Sequence, residues 1–304
     1  MAIDLTILGS GSATPTLTRN PTSQFLQIDG KCLLIDCGEG TQMQLMKFQL
    51  KLSKIDTILI SHLHGDHYFG LPGLLSSMHL MGRTAVLKLL APPELNEILK
   101  EQFSISQTVL NYPIEFIATQ DKIAETILEN SSFSIQTFPL HHRIPCTGFI
   151  IREKEKPRNI RQDIIKMYKP DVSQLKAIKT GADLTLANGQ VISNKLITND
   201  PPKTVSYAFC SDTAPSELVF EFLKDIDCLY HEATFDDELV QRAKETFHST
   251  ARQAALVAKR ANVNQLIIGH FSSRYREIEL LLTQAQSVFP FTRAAFDGMV
   301  LQIK

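Results

Sequence analysis

Three histidines and an aspartate crowd into His62-Leu63-His64-Gly65-Asp66-His67, directly after the apolar run Thr57-Ile58-Leu59-Ile60. So dense a set of imidazoles and carboxylate exceeds what a fold needs for stability and reads as a metal site. A strand sends alternate side chains to one side, so His62 and His64 point together. Gly65 lets the chain turn, and Asp66 and His67 then face a second point. One ion can hardly take four side chains from so short a segment, which predicts two adjacent ions. Neutral imidazole suits zinc, and a mixed nitrogen and oxygen set also admits manganese or iron.

The missing donors are sought at other strand ends, where connecting segments carry chemistry. Phe138-Pro139-Leu140-His141-His142-Arg143 ends a strand in a histidine pair; adjacent side chains diverge, so one of the two is a ligand, and the sequence itself does not choose. Asp212 follows the strand Val205 to Phe209 and is placed to bridge two ions, and His270 follows the strand Gln265 to Ile268. The count gives His62, His64 and one of His141 and His142 for one ion, Asp66, His67 and His270 for the other, with Asp212 shared. Two ions about 3.5 to 4 Å apart clamp the attacking and leaving oxygens of a phosphoryl displacement, and metal binding brings the pKa of water near neutrality. The predicted reaction is hydrolysis, with phosphodiesters the leading substrate class. His248, unassigned as a ligand, is the candidate general acid, and Glu232 can orient it or another histidine. Asp36 reads either as the partner of a ligand histidine or as a turn carboxylate. Ser272 and Arg274 are candidates to hold the substrate phosphate, the arginine through its two-pronged guanidinium. Gly9-Ser10-Gly11-Ser12-Ala13-Thr14-Pro15 is either an anion-binding turn or simply a tight one.

The elements that must position these groups read as an α/β sandwich. Strands are expected at Met1 to Leu8, at Gln24 to Ile28 and Lys31 to Asp36 (a hairpin through Asp29-Gly30), and at 57–60, 86–90, 114–117, 133–138, 205–209, 226–230 and 265–268. Helices are expected at 42–50, 71–81, 93–103, 251–261 (capped by Ser249 or Thr250) and 277–287. With 304 residues the chain can bury a large core as one domain, and its net charge of -1 exerts no global pull on nucleic acid. The one local basic excess lies between Arg152 and Lys203 and includes Lys154, Lys156, Arg158, Arg161, Lys166 and Lys169. It reads as an excursion from the core able to grip phosphates, although charge alone favours a solvated helical insertion. The five cysteines are dispersed without a CxxC pair, as in a reduced cytosolic protein. No signal peptide and no run of about 20 apolar residues is evident, so a cytoplasmic location away from the membrane is expected.

His62-Leu63-His64-Gly65-Asp66-His67 matches the HxHxDH signature of the metallo-β-lactamase superfamily. Together with Gly9 to Pro15, Asp36-Cys37-Gly38-Glu39-Gly40-Thr41, Ser211-Asp212-Thr213, His231-Glu232-Ala233-Thr234-Phe235, His248-Ser249-Thr250 and Gly269-His270-Phe271-Ser272-Ser273-Arg274-Tyr275, it resembles the motif set of short-form ribonuclease Z over nearly the whole chain. The resemblance implies an αββα sandwich as a single domain over residues 1–304, with an inserted projecting arm at about 153–200. It implies removal of the 3′ trailer from precursor tRNA, leaving a 3′-hydroxyl on the tRNA and a 5′-phosphate on the trailer. It further implies two Zn2+ per subunit, with Mn2+ possible, and a homodimer in which the arm of one subunit clamps tRNA for the other. By the same resemblance His142 is preferred over His141, Asp66 is both ligand and general base, and His248 is the proton donor. One departure is visible: members of the family often carry Gly-Pro in the arm, where this chain has Lys156-Pro157 and Lys169-Pro170. The alternative is a metal-dependent hydrolase of small esters on the same fold.

Overall fold

The computed structural model describes residues 3–304. The chain divides into two compact units, one made of the chain up to Arg152 together with Val205–Lys304, the other of Glu153–Thr204. In the first unit run β1 (Ile3–Gly9), β2 (Ser23–Ile28), β3 (Lys31–Cys37), β4 (Ile55–Leu59), β5 (Leu87–Ala91), β6 (Ile114–Ala118), β7 (Glu125–Glu129), β8 (Phe133–Pro139) and β9 (Thr147–Glu153). The second unit holds four short strands, β10 (Asn159–Ile160), β11 (Leu184–Thr185), β12 (Val191–Ile192) and β13 (Thr198–Asn199). The chain then returns to the first unit with β14 (Ser206–Cys210), β15 (Cys228–Glu232), β16 (Gln265–Gly269), β17 (Thr292–Ala294) and β18 (Val300–Ile303). Two seven-stranded sheets result, in the orders β18-β1-β2-β3-β4-β5-β6 and β17-β16-β15-β14-β9-β8-β7.

Four layers follow from how the strands are coloured. In β3, Leu33 and Ile35 face the other sheet while Cys32 and Leu34 face outward; in β16, Ile267 faces inward and Leu266 and Ile268 outward. Both faces are apolar, so both must be covered, as in α/β proteins with helices outside. The outer face of the first sheet is covered by α1 (Thr41–Lys47), α3 (Leu71–Leu80) and α4 (Glu94–Ile105), with the one-turn α2 (Gly65–Tyr68) beside β3. Within the second unit, α5 (Gln162–Tyr168), α6 (Val172–Lys179) and α7 (Asn194–Ile197) enclose a small core of Ile164, Ile178, Leu184 and Ile197. In the first unit, α8 (Glu217–Leu223), α10 (Ala251–Arg260) and α11 (Glu279–Gln286) cover the second sheet, and α9 (Val240–Thr246) precedes α10.

The expected αββα layering is present, and most expected elements appear within a few residues of their predicted bounds. The first strand is seen over Ile3–Gly9; Met1 and Ala2 lie outside the described residues. Asp29 and Gly30 both adopt positive φ, 48° and 75°, the requirement of the tight hairpin turn. Thr250 caps α10 with a reciprocal bond to Gln253. Not foreseen were β7, β9, α8, α9 and the internal core of the second unit, whose four apolar residues are spread over more than thirty positions and make no local pattern.

The turn after β3 and the junction between α2 and α3 meet backbone to backbone. A Cβ added at Gly70 would sit 2.2 Å from the Gly38 carbonyl oxygen, while one at Gly73, inside α3, would meet nothing closer than 4.0 Å. Gly70→Ala is therefore expected to destabilise by about 1–3 kcal/mol through overpacking. Gly73→Ala is expected to stabilise by up to about 1 kcal/mol through helix propensity. Denaturant midpoints that moved in the same direction for both would contradict this packing.

Candidate metal centre

Chemistry collects at one end of the sandwich because the site residues lie at or shortly past strand ends, except His248, which comes just after the end of α9. Beyond β4 the chain stays extended without pairing regularly. It is held by Ile60 N–H to Leu90 O (2.8 Å), Ser61 N–H to Asp36 Oδ1 (2.7 Å) and Thr147 N–H to Ser61 O (3.0 Å). That extension preserves the alternation, and His62 and His64 converge, with Nε2 of one 3.1 Å from Nδ1 of the other. The turn expected at Gly65 takes the form of a helix start: Gly65 opens α2, whose first turn carries Asp66 and His67. A helix suffices here because the first turn already swings successive side chains by about 100°.

Two groups of donors form. His142 Nε2 lies 3.1 Å from His64 Nδ1, and Asp212 Oδ2 lies 3.6 Å from His62 Nε2 and 3.8 Å from His142 Nε2. In the second group Asp66 Oδ2 is 3.3 Å from both His67 Nε2 and His270 Nε2, and Asp212 Oδ1 is 3.4 Å from His67 and 3.1 Å from His270. The two oxygens of Asp212 thus face different groups, the disposition of a bridge. The structure brings His142 among the donors and leaves His141 exposed, its ring against Phe247.

Four of the five converging imidazoles are steered from behind by their other nitrogen: His62 by Ser61 Oγ (3.0 Å), His67 by Asp36 Oδ2 (2.7 Å), His142 by the Phe247 carbonyl (3.0 Å) and His270 by Thr234 Oγ1 (2.9 Å). Such partners fix tautomer and orientation. Asp36 can do this because of a β-bulge: Ser23 pairs with Cys37 and Gln24 with Ile35, so Asp36 is left out of the ladder at φ 55° and its side chain is re-aimed. His270, at φ 58°, is held in the same uncommon conformation.

The electrostatics call for a cation. Burial would raise the pKa of Asp212 and Asp66, yet the surrounding histidines hold both carboxyls well below the usual range. Burial would lower His67, but Asp66, Asp212 and Asp36 drive it up; His62, buried beside His67, is pushed well down. Among the described residues every ion pair to Asp36, Asp66, Asp212 or Glu232 comes from a histidine, and none from lysine or arginine. His67 Nε2 and Asp212 Oδ1 are buried, face each other and have no hydrogen-bond partner. Buried polar atoms are rarely left so. The donor set fits divalent ions bound by nitrogen and oxygen, and metal dependence follows from it.

Beside the second group, His248 Nδ1 meets Glu232 Oε1 at 2.8 Å, and its ring stacks on His270. Glu232 also accepts from Thr213 N–H (3.0 Å), Thr234 N–H (3.0 Å) and Thr234 Oγ1 (2.7 Å), so it is fixed on all sides. Burial alone would lower the His248 pKa, but this carboxylate pushes it up to about 9. Phe247, left-handed at φ 58° after α9, turns the chain so that His248 faces inward. A cavity of about 700 Å³ opens over these groups, lined by His64, Asp66, His248, Ser272 and Arg274 among others. Arg274 donates to Ser272 Oγ (3.0 Å) and lies over the Phe235 ring. The Gly9–Pro15 turn is not an anion cradle at its centre: the N–H groups of Ser10, Gly11 and Ser12 go to Asp297 Oδ1, Asn20 O and Phe271 O. Thr234 lies within one of the motifs and Ser61 directly precedes another, but their roles in orienting His270 and His62 were not foreseen, since each depends on where the ring comes to rest.

Two stacked mixed sheets with outer helices and an HxHxDH loop at their strand ends define a metallo-β-lactamase-fold hydrolase. Among solved structures the chain is similar to human tRNase Z, short form (TM-score 0.72, 28% identity, 99% of each chain covered). The fold is shared with YhfI from Bacillus subtilis (TM-score 0.70, 18% identity, 99% of this chain and 100% of that one). Proteins named Ribonuclease Z are 44% identical over 302 residues in Bacteroides fragilis strain YCH46 (99% of each chain) and 45% identical over 300 residues in Bacteroides thetaiotaomicron (99% of this chain, 95% of that protein). The chain belongs to the ribonuclease Z family, and its residues 3–176 match the family model described as Anti-Pycsar protein Apyc1.

Chelation is expected to remove about 4 kcal/mol of stabilisation relative to metal at a thousandfold excess over Kd, seen as a lower melting temperature that recovers on adding zinc or manganese. Asp36→Ala, which frees His67 from behind, is expected to weaken metal binding about 10- to 100-fold. Thermal melts with and without chelator check the first and isothermal titration of the stripped protein the second; unchanged affinity in Asp36→Ala would remove the steering role.

Proposed function

We propose that this protein removes the 3′ trailer from precursor tRNA by hydrolysing one phosphodiester, leaving a 3′-hydroxyl on the tRNA and a 5′-phosphate on the trailer. The full-length similarity to proteins named Ribonuclease Z carries the substrate, and the two donor groups sharing Asp212 support the reaction. His62, His64, His142 and Asp212 would hold one ion, and Asp66, His67, His270 and Asp212 the other; zinc is the metal proposed, with manganese the substitute. When bound, such ions supply positive charge against the charge that develops on phosphorus and lower the pKa of water.

The remaining work is done by side chains. Asp66, which lines the cavity, is the proposed acceptor of the proton from attacking water. His248 holds a proton through Glu232 and is the proposed donor to the leaving 3′-oxygen; a neutral leaving hydroxyl is far better than an alkoxide. Glu232 does not touch the substrate in this reading and acts by orienting and charging His248. Ser272 and Arg274 hold the phosphate oxygens from the cavity wall.

Residues 153–204 are the proposed tRNA-binding arm. Lys166, Lys176 and Lys179 on its helices and Lys169 just past the end of α5 are all exposed, which suits a sequence-independent grip on phosphates. The family resemblance supports a homodimer in which each arm serves the other subunit. Five free, buried cysteines suit a reducing compartment, and the cytoplasm is the proposed one. Among the described residues no helix is long and apolar enough to cross a membrane.

Purified protein with zinc or manganese is expected to cut a precursor tRNA once, near the discriminator base, with product ends as above; turnover confined to small phosphodiesters would establish the alternative hydrolase instead. His248→Ala is expected to lower kcat by about 10²- to 10⁴-fold with little change in KM. Replacing Lys166, Lys169, Lys176 and Lys179 by Gln is expected to raise KM for tRNA and flatten its salt dependence, while hydrolysis of bis(p-nitrophenyl) phosphate stays unchanged. Equal losses on both substrates would make the unit structural.

A further inference from the structure

We infer that Arg19, which the reaction itself does not use, is a positioning residue: its guanidinium clasps the turn that carries Ser272 and Arg274 and sets their reach into the cavity. The inference rests on the phosphate-holding role proposed for those two residues. Arg19 is 8% exposed and stands outside the cavity lining, behind its wall. It donates through Nη1 to Arg276 O (3.4 Å), and through Nη2 to Ser272 O (3.4 Å) and to Tyr275 O. All three acceptors belong to one five-residue turn more than 250 positions away in the chain. Among the described residues no carboxylate pairs with it, and its buried Nε has no partner. A guanidinium buried against carbonyls alone is an expensive way to stabilise a fold, which points to the geometry it imposes.

Both jaws of the clasp are anchored. On the near side, Asp297 accepts from Ser10 N–H (3.0 Å), Ser10 Oγ (2.7 Å), Asn20 N–H (2.8 Å) and Asn20 Nδ2 (2.9 Å), pinning both ends of the loop that presents Arg19. The loop tip is braced by Arg19 N–H to Thr16 Oγ1 (3.0 Å) and Thr16 N–H to Arg19 O (2.9 Å). On the far side, Tyr275 Oη accepts from Asp236 N–H (3.0 Å), next to Phe235, over which the Arg274 guanidinium lies. With the carbonyls of Ser272, Tyr275 and Arg276 on either side of it held by Arg19, and its side chain by Ser272 and Phe235, Arg274 has little freedom left to lose on meeting a phosphate. Lysine keeps the charge but cannot spread its donors over three carbonyls.

The test is a kinetic cycle on precursor tRNA with Arg19→Lys, Arg274→Ala and the double variant in the metal-loaded protein. Arg19→Lys is expected to lower kcat/KM about 10- to 100-fold, with the same division between KM and kcat as Arg274→Ala. In the Arg274→Ala background its cost should shrink below about 2-fold, because the two changes disable one device. A merely structural arginine would instead lower the active fraction, cutting kcat alone by the same factor in either background, and that result overturns the clasp; so does wild-type kinetics in Arg19→Lys. Thr16→Val, which loosens the loop tip without touching the guanidinium, should show a smaller loss of the same pattern and carries the cycle if Arg19→Lys does not fold; there too, equal losses in both backgrounds or no loss overturn the clasp. A parent enzyme that leaves precursor tRNA uncut overturns the reading beneath, whereas an active parent with multiplicative losses overturns the clasp alone.

Discussion

The structure turns on one electrostatic demand: Asp36, Asp66, Asp212 and Glu232 are withdrawn from water with only histidines as ion partners. A buried carboxylate without adequate countercharge would protonate or open its surroundings. Imidazoles answer the demand in part, since His62 is pushed toward neutrality while His67 is forced to carry charge. Divalent cations held by these donors would supply the missing positive charge and let His67 serve as a neutral ligand, which would link metal binding to the stability of this end of the sandwich. Glu232 stands apart, since its charge is met by His248.

Placing so many donors at one point needs strand ends from both sheets. β3 and β4 of the first sheet deliver Asp36 and the His62–His67 segment; β8, β14, β15 and β16 of the second deliver His142, Asp212, Glu232 and His270. The apolar layer between the sheets, with Ile35 and Leu59 facing Tyr207, Phe209 and Tyr230, holds the two halves of the centre in register. Local backbone gives way where aim matters: Asp36, Phe247 and His270 all sit at positive φ without being glycine. Such conformations cost about 1–3 kcal/mol each and persist where the surroundings enforce them. Here the enforcement is the packed sheet beneath.

Legibility followed locality. Four donors could be read from the chain because His62, His64, Asp66 and His67 fall within six residues. The hairpin at Asp29-Gly30 and the cap at Thr250 were equally readable, since turn and cap chemistry act over two to four residues. The choice between His141 and His142 was not, because it depends on which way the chain leaves β8 relative to Asp212. The bulge at Asp36 depends on pairing with β2, and α2 in place of a glycine turn depends on the packing of Phe69 over Gly65. Arg19 gave no signal, since its partners lie at Ser272 to Arg276.

By itself the amino-acid sequence determined the kind of chemistry, because ligand types at fixed spacing limit which metals and which reactions are open. It also determined the layered fold, because unbroken apolar strands alternating with amphipathic helices must be covered on both faces. Tertiary structure alone decided which oxygen of Asp212 faces which donor group, that the Glu232 carboxylate takes His248 as its hydrogen-bonded histidine, and that the Ser272–Arg276 turn is gripped from behind. Those are distances between groups remote in the chain, and only the closed sandwich sets them.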